Sequence, residues 1–441
     1  MNARRVKLAA LGGTPVVSPA DIRMGYPFIT QEDKDAVMSV LNACENGTLL
    51  WGTRTPQILG AESEWAEYVG RKYCLLTNSG TAALHMAVAA AGVGPGDEVI
   101  TSAFTFIASA TSVLHHNGIP VFVDVDLETA LMDPRRIEAA ITERTKAITA
   151  VHIHGLPADM EEINAIARKH RLLVIEDAAQ APGATYRGRK VGALGDMACF
   201  SLNGCKQLTC GEGGFFVTDD EELYEAAGMV RVFGEAWRKA GKREYNAYGM
   251  GWMYRTMELP AALVRTQLKH LDEQNATRQD NAAYLTSRLS RIKGLHLPVV
   301  PGDRTSVWWL YPLRVRASEL GINLPQTEFR DRVVKAIEAE GVPCHVWQTM
   351  PVPGQMLFQQ KQGYGKGCPW TCPHSGTVNY SLENFPNAMK FCSEYFYIGG
   401  LLLPTLALPN AHQLMNKYAE AIEKVMSNLD QVVSLLQKQG D

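Results

Sequence analysis

One lysine of the sequence lies between two apolar runs, where its side chain is expected to be buried. Lys206 lies in CFSLNGCKQLTCGEGGFF, five residues after Ser201, between two apolar runs. Lysine is rarely buried without a partner or a role, and burial lowers the pKa of its amine, which makes it a competent Schiff-base nucleophile. A surface lysine whose alkyl stem lies along apolar residues is the alternative. The motif by itself leaves both interpretations open.

A carboxylate ends another apolar run. In VIEDAAQAPGA, Asp177 closes a predicted strand and Gln180 follows three residues later. A carboxylate at this position could hold the protonated ring nitrogen of a cofactor, which must stay cationic to accept electrons. Capping a helix N-terminus is the simpler role for the same aspartate.

Two further motifs follow predicted strands. In TNSGTAAL, Gly80, Thr81 and Ala82 would present backbone N–H groups and a hydroxyl to a phosphate at the positive end of a helix, although most such turns only cap one. TSAFTFIAS places Phe104 and Phe106 just past a strand end, where a ring could stack on a planar cofactor or pack in the core.

The elements that must position these residues alternate along the chain. Apolar runs rich in Val, Ile and Phe predict strands buried on both faces, and stretches with apolar residues three and four apart predict helices between them. This alternation predicts an α/β domain with a mostly parallel sheet, whose ligands bind outside the carboxyl ends of the strands. The apolar runs begin at Lys72, Asp97, Ile119, Ala147, Arg171, Met197 and Gly213.

The pattern changes after about residue 255. Residues 258–292 predict one long helix, VWWLYPLRV predicts a strand that opens a smaller α+β unit, and residues 351–397 predict a long structured loop region. We therefore expect two domains. Residues 1–280 form an N-terminal segment and a large α/β domain, and residues 281–441 form a small α+β domain.

Composition excludes several classes of protein. The 441 residues carry 43 Lys plus Arg against 46 Asp plus Glu, a net charge of −3, which argues against a nucleic-acid-binding or membrane-surface protein. No apolar run is long enough for a membrane span, and the amino terminus does not resemble a signal peptide. Nine scattered cysteines do not suggest a disulfide framework. We expect a cytoplasmic protein.

The order of these motifs is that of a known family. NSGTAALH, EDAAQAPGATYRGRKVGALGD and FSLNGCKQLTCGEGG resemble the core motifs of the nucleotide-sugar aminotransferase family of fold-type I pyridoxal 5′-phosphate enzymes, which includes 3-amino-5-hydroxybenzoate synthases and scyllo-inosose aminotransferases. The resemblance implies an aspartate-aminotransferase-like large domain with a mostly parallel seven-stranded sheet, followed by a smaller α+β C-terminal domain.

The resemblance also implies residue roles. Lys206 corresponds to the lysine of the internal aldimine, Asp177 to the partner of the pyridinium nitrogen, and Gln180 to the contact on the phenolic oxygen side. Phe106 corresponds to the ring-stacking aromatic. The phosphate-binding positions are Thr81, Ala82 and Ser201, with Gly80 forming the turn. The sequence departs from the family at Met253, where an Asn from the neighbouring subunit usually contacts the phosphate.

The implied reaction is the transfer of an amino group from L-glutamate or L-glutamine to a keto sugar, expected to be nucleotide-linked, or to a keto cyclitol, with ping-pong kinetics in a homodimer whose active site lies at the subunit interface. Two alternatives stay open. A sugar dehydratase on the same fold carries histidine in place of the lysine, so Lys206 argues against it. A regulatory protein without turnover would not need the intact set of site residues.

Substrate and metal contacts are less defined. His345 and Trp347 follow a predicted strand and are candidates to contact the substrate. Cys368, Cys372 and His374 lie in CPWTCPH, but no second close pair of ligands accompanies them, so we expect no metal site.

Overall fold

The structure is a computed structural model that describes residues 7–22, 26–45, 47, 52, 54–236, 245–399 and 405–435. Its α-helices are α1 Gln31–Cys44, α2 Pro56–Val69, α3 Gly80–Ala90, α4 Ala108–His115, α5 Met160–His170, α6 Glu221–Arg231, α7 Glu258–Leu268, α8 Leu271–Leu289, α9 Gln326–Ala339, α10 Met356–Gln360, α11 Pro386–Glu394, α12 His412–Met426 and α13 Leu429–Val433. Its strands are β1 Tyr73–Thr77, β2 Glu98–Ser102, β3 Ile119–Val123, β4 Thr145–Val151, β5 Leu173–Asp177, β6 Thr185–Tyr186, β7 Arg189–Lys190, β8 Met197–Ser201, β9 Gly214–Thr218, β10 Leu295–His296, β11 Tyr311–Val315, β12 Cys344–His345 and β13 Tyr395–Ile398.

The larger sheet has seven strands in the order β1-β9-β8-β5-β4-β2-β3. Adjacent strands in this sheet are parallel, except that β9 is antiparallel to both β1 and β8. Each strand coincides with one of the apolar runs of the sequence, because strands covered by helices on both faces need continuous apolarity. The predicted α/β class and mostly parallel seven-stranded sheet are confirmed.

Separate apolar clusters cover the two faces of this sheet. A third cluster surrounds the four-stranded sheet β10-β11-β13-β12. Leu8 and Val17, from the beginning of the chain, pack in this third cluster, whereas Phe358 and Tyr380 pack with the large sheet. The division of the chain at residue 280, which falls inside α8, therefore remains a prediction.

Two local predictions differ from the structure. The predicted long helix after residue 257 is two helices, α7 and α8, because the N–H groups of Lys269 and His270 bond to carbonyls three residues back in place of four. The predicted loop of residues 351–397 contains α10, α11 and most of β13. Short aromatic segments such as YFYI have little periodicity, and their structure comes from pairing with β11 and β12.

Candidate functional site

A cavity of about 250 Å³ opens at the carboxyl edge of the parallel strands, where ligands bind in open α/β sheets. It lies beside the ends of β5 and β8 and the beginning of α3. Its lining residues are Ser79, Gly80, Thr81, Leu84, Phe106, Ala108, Asp177, Ala179, Gln180, Ser201, Asn203, Cys205, Lys206, Glu212, Trp309 and Trp347. The fold thus brings together most of the residues that the sequence motifs single out.

The first turn of α3 forms one end of the cavity. Ser79 caps the helix, and its Oγ accepts a hydrogen bond from the Ala82 N–H at 3.1 Å. Within the described chain the N–H groups of Gly80 and Thr81 have no protein acceptor. Two open donors at the positive end of a helix suit a phosphate. The Ala82 N–H is already used and Ala82 does not line the cavity, so its contact with phosphate stays a prediction.

Glycine is required where α3 meets the sheet. A Cβ on Gly80 would lie 2.9 Å from Ser201 Cβ and 3.1 Å from Ser201 Cα. A Cβ on Gly214, in β9, would lie 2.6 Å from the backbone of Ser79. The absence of both side chains lets the helix terminus approach β8 and β9 closely, which places the Ser201 hydroxyl beside the open N–H groups.

Asp177 ends β5 inside the cavity wall. Ser109 Oγ donates to its Oδ2 at 2.6 Å, and the Ala179 N–H donates to its Oδ1 at 3.2 Å. Burial raises the pKa of this carboxyl, and the two hydrogen bonds and the nearby Lys206 amine oppose that shift. A cationic ring nitrogen beside Asp177 would favour the ionised carboxylate further.

A second buried pair supports the end of β5. His152 N–H donates to the carbonyl of Asp177 at 3.1 Å, and the imidazole Nδ1 accepts from the Ala158 N–H at 2.9 Å. The ring proton is therefore on Nε2, which donates to Glu176 Oε2 at 3.0 Å. Burial opposes ionisation of Glu176, but His152 and the N–H groups of the Gly192–Gly195 turn outweigh burial and lower the pKa of Glu176.

Lys206 lies in the turn between β8 and β9 with its amine in the cavity. Its carbonyl accepts a hydrogen bond from the Tyr26 hydroxyl, and its N–H donates to the Asn203 carbonyl at 2.8 Å. These bonds fix the backbone of the turn. Burial lowers the pKa of the Lys206 amine to about 8, although Cys205 and Asp177 favour the charged form. The amine is therefore partly in its nucleophilic form near neutral pH.

A hydrogen bond to the carboxamide oxygen of Gln180 orients this side chain. The His154 N–H donates to Gln180 Oε1 at 2.6 Å, and the Gln180 carbonyl accepts from Gln207 Nε2 at 2.7 Å. Because the oxygen is occupied, the NH₂ group is the part of this side chain that remains to donate in the cavity. A donor at this position suits a phenolic oxygen.

Aromatic rings form the remaining wall. The side chain of Phe106 is 52% exposed, and its ring lies 6.3 Å from that of Trp347 at an interplanar angle of 13°. Trp309 meets Trp347 edge to face at 5.5 Å. Phe104 is instead fully buried against Phe391. Phe106 is thus the strand-end aromatic whose ring is exposed at the cavity, and its stacking on a cofactor stays a prediction.

The candidate substrate contact His345 and the position of the family departure, Met253, both lie outside the cavity wall. His345, in β12, contacts the Tyr397 hydroxyl through Nε2 and does not line the cavity, unlike Trp347. Met253 is half exposed, and its carbonyl accepts from Asn78 Nδ2 at 3.2 Å, which places it next to the α3 turn. A role of His345 in substrate binding stays a prediction.

Several residues of the site have no signal in the sequence. Ser109, His152 and Trp309 support or line the cavity from segments whose patterns indicate only packing. Asn203 and Glu212 both face the cavity, and Asn203 Nδ2 donates to Glu212 Oε1 at 2.7 Å. These two residues lie near Lys206 in the sequence, and this proximity is the one indication in the sequence that they belong to the site.

The donor set fits pyridoxal phosphate. The open N–H groups of Gly80 and Thr81 and the Ser201 hydroxyl match a phosphate, Asp177 matches a cationic ring nitrogen, and Lys206 lines the same cavity. Among the described residues, no group of three or more His, Cys, Asp or Glu side chains is arranged to hold a metal ion. None of the helices in the described ranges has the length and apolarity that crossing a membrane requires.

Comparison with known proteins agrees with this geometry. Residues 30–394 match the model of the DegT/DnrJ/EryC1/StrS aminotransferase family. The chain is 43% identical to GDP-perosamine synthase of Caulobacter vibrioides over 286 residues, 65% of this chain and 74% of that protein. It is 43% identical to L-glutamine:scyllo-inosose aminotransferase of Streptomyces griseus over 266 residues, 59% of this chain and 63% of that protein.

A solved structure of 3-amino-5-hydroxybenzoic acid synthase superimposes with a TM-score of 0.78 at 27% identity, covering 92% of this chain and 98% of that one. The family match spans most of the chain and includes every residue named above as lining the cavity. The chain belongs to the DegT/DnrJ/EryC1/StrS aminotransferase family and is a pyridoxal phosphate-dependent aminotransferase.

Proposed function

We propose that this enzyme transfers an amino group from L-glutamate or L-glutamine to a keto sugar or to a keto cyclitol. We expect the keto sugar to be linked to a nucleotide. The names of the relatives support this range of acceptors, since one makes a GDP-linked amino sugar and another aminates scyllo-inosose. The observation that carries the proposal is the buried Lys206 amine, placed in one cavity with Asp177 and the open turn of α3.

The residues divide the work by position. Pyridoxal phosphate, when bound, supplies the carbonyl that carries the amino group and the ring that accepts electrons. Gly80, Thr81 and Ser201 would bind its phosphate, and Phe106 would cover its ring. Asp177 would keep the ring nitrogen protonated, and the Gln180 NH₂ group would donate to the phenolic oxygen.

Lys206 has two roles in this scheme. Its amine would hold the cofactor covalently, which its lowered pKa favours. Once displaced by the amino donor, the same amine would take the proton from the Cα of the donor as a general base. Because the donor product must leave before the acceptor enters the same cavity, we expect ping-pong kinetics.

Homodimerisation belongs to the same proposal. The exposed large apolar side chains Tyr245, Tyr248, Met250, Met253 and Met257 fall within thirteen residues. Monomeric proteins rarely expose large apolar patches, and Met253 adjoins the α3 turn of the cavity. These facts support a dimer interface beside the active site. The nine cysteines without disulfide partners support a cytoplasmic location.

The direct test replaces the lysine. We expect Lys206→Ala to lose covalent cofactor binding, seen as loss of the visible absorbance of the Schiff base, and to slow donor turnover by about 100- to 10,000-fold. Lys190→Ala is the matched control, because the Lys190 amine also lies over an aromatic ring, that of Tyr68, but outside the cavity. Near wild-type donor turnover by Lys206→Ala would refute the assignment.

The acceptor is found with a panel. The amino-loaded enzyme is offered nucleotide-linked keto sugars and keto cyclitols, and the products are identified by mass spectrometry with either amino acid as donor. Formation of an amino product defines the acceptor class. A deoxygenated product would show a dehydratase instead, and a protein that no amino donor changes would indicate a regulatory role.

A further inference from the structure

The Lys206 amine has an unusual partner in the cavity. Its Nζ lies 3.7 Å from the centroid of the Trp309 ring. Among the residues that the structure describes, no oxygen atom forms a hydrogen bond or an ion pair with this nitrogen. Asp177 favours its charged form through space but is already bonded to Ser109 and Ala179. An ammonium group over an indole face is attracted by the negative face of the ring.

Trp309 is held rigidly in this position. Its indole N–H donates to the carbonyl of Cys205, the residue before the lysine, at 3.1 Å, and its backbone N–H donates to the His154 carbonyl at 3.0 Å. A Cβ on Gly155 would lie 3.0 Å from the Trp309 nitrogen and 2.9 Å from the Trp308 nitrogen, so glycine permits this approach. The ring is therefore fixed to the same turn that carries Lys206.

The other groups around the Lys206 amine do not form a direct bond with its charged form. Burial disfavours its charged form, and Asp177 and Cys205 favour that form only through space. Glu212, the other carboxylate of the cavity, hydrogen bonds with Asn203. The indole face supplies a contact for the ammonium at van der Waals distance, without an anion that would hold the amine permanently charged.

We propose that Trp309 is a positioning residue whose indole face receives the Lys206 ammonium, the form that the released amine has after it accepts a proton. This inference rests on the proposed function, because transamination is what releases the lysine. The held ammonium stays inside the cavity, away from bulk water, and would deliver the proton taken from the donor Cα to the cofactor carbon that takes the amino group. The amine is then neutral again and would rebind the cofactor once the acceptor has been aminated. Trp347 contacts Trp309, but no cation of the described residues lies over its ring, so it does not have this role.

The test weakens the negative face of one ring without changing its size. Mono-, di- and trifluorotryptophan are placed at position 309 alone, and in parallel at position 347. The pKa of the Lys206 amine is measured in the cofactor-free protein and in the pyridoxamine phosphate form, from the pH dependence of its acetylation followed by mass spectrometry. This readout does not depend on turnover.

We expect the pKa of Lys206 to fall with each added fluorine at position 309, by about one unit in total, because the charged form loses its partner. The series at position 347 should leave it unchanged. Trp309→Phe should lower the pKa less than Trp309→Leu does. Equal values across the series at position 309, or the same trend at position 347, would overturn the proposal.

Failure of the inference and failure of the proposed function give different results. If the enzyme transaminates and the fluorine series has no effect, the Trp309 proposal alone is wrong. If no amino donor converts the wild-type enzyme, the proposed function is wrong, whereas the titration of the cofactor-free protein still decides whether the indole holds the ammonium.

Discussion

At the scale of single residues, the site depends on buried ionisable groups whose surroundings oppose their ordinary charge. Burial lowers the pKa of Lys206 and raises that of Asp177 in the same cavity. Both shifts come from the loss of water. A cationic ring nitrogen beside Asp177 would favour the ionised carboxylate, and the lowered pKa of Lys206 favours its reaction with a carbonyl. The site thus suits a ligand that brings a cation to Asp177 and a carbonyl to Lys206.

Asp177→Asn tests the charge at the ring-nitrogen position. The change keeps the shape and the hydrogen bond from Ser109 but removes the negative charge, so we expect kcat/KM to fall about 10- to 100-fold or more. Asp219→Asn is a control, because Asp219 directly follows β9 and pairs with Arg71 outside the cavity. Unchanged kinetics in Asp177→Asn would remove Asp177 from the proposed site.

His154 predicts how stability depends on pH. Burial lowers its pKa to about 3 from 6.5, and neither ring nitrogen has a hydrogen-bond partner among the described residues. The unfolded chain therefore binds one more proton between pH 6.5 and 3, so this residue contributes stability above pH 6.5 that is lost on acidification, at about 1.4 kcal/mol per pH unit.

We expect His154→Asn to flatten the acid limb of a plot of unfolding free energy against pH, measured by urea denaturation. Asparagine is the replacement because His154 has a φ of 59°, which asparagine tolerates. The exposed His374 serves as the control, and His374→Asn should leave the slope unchanged. An equal slope in the wild type and His154→Asn would contradict this prediction.

At the scale of elements, the site exists because β5 and β8 end, and α3 begins, at one edge of the sheet. Parallel strands place their carboxyl ends together, and a helix that starts at that edge adds its positive end. The close contact between α3 and β8 leaves no space for a side chain at Gly80.

Gly80→Ala tests that contact. We expect it to lower the free energy of unfolding by about 1–3 kcal/mol through overpacking against Ser201, and to weaken cofactor binding because the turn moves away from the phosphate position. Gly228→Ala, in α6, is the matched control: a Cβ there meets nothing within 4 Å, so this helix should gain about 0.5–1 kcal/mol. Unfolding curves and cofactor titrations of both variants give the comparison.

At the scale of the whole molecule, exposed apolar side chains lie in the segment beside the cavity. Tyr245 is 76% exposed and Met250 is 71% exposed, close to the segment that contacts the α3 turn. Covering these side chains by a second copy would remove apolar area from water. It would also bring residues of the second chain to the phosphate end of the cavity.

Met250→Glu is expected to weaken the dimer at least tenfold, because it places a charge in an apolar interface. Sedimentation equilibrium measures the dissociation constant. Met356→Glu is the control, since Met356 is 63% exposed in α10, away from this patch, and should leave the dimer intact. A wild-type protein that is monomeric at all concentrations would refute the proposed interface.

The sequence alone determined the α/β class, the seven strands of the large sheet and the family of cofactor chemistry. These follow from local rules, because a strand buried on both faces is a continuous apolar run. A helix that binds a phosphate begins with a short turn such as Ser79 to Ala82, and a strand-end carboxylate such as Asp177 directly follows its strand. The comparisons confirm the family and the cofactor.

Only the tertiary structure decided which distant side chains complete the cavity. Trp309 and Trp347 reach Lys206 and Phe106 from more than a hundred residues along the chain, and Ser109 reaches Asp177 across the sheet. The same packing leaves His345 against Tyr397 and outside the cavity. Such contacts depend on how separate elements pack, which no local pattern of residues encodes.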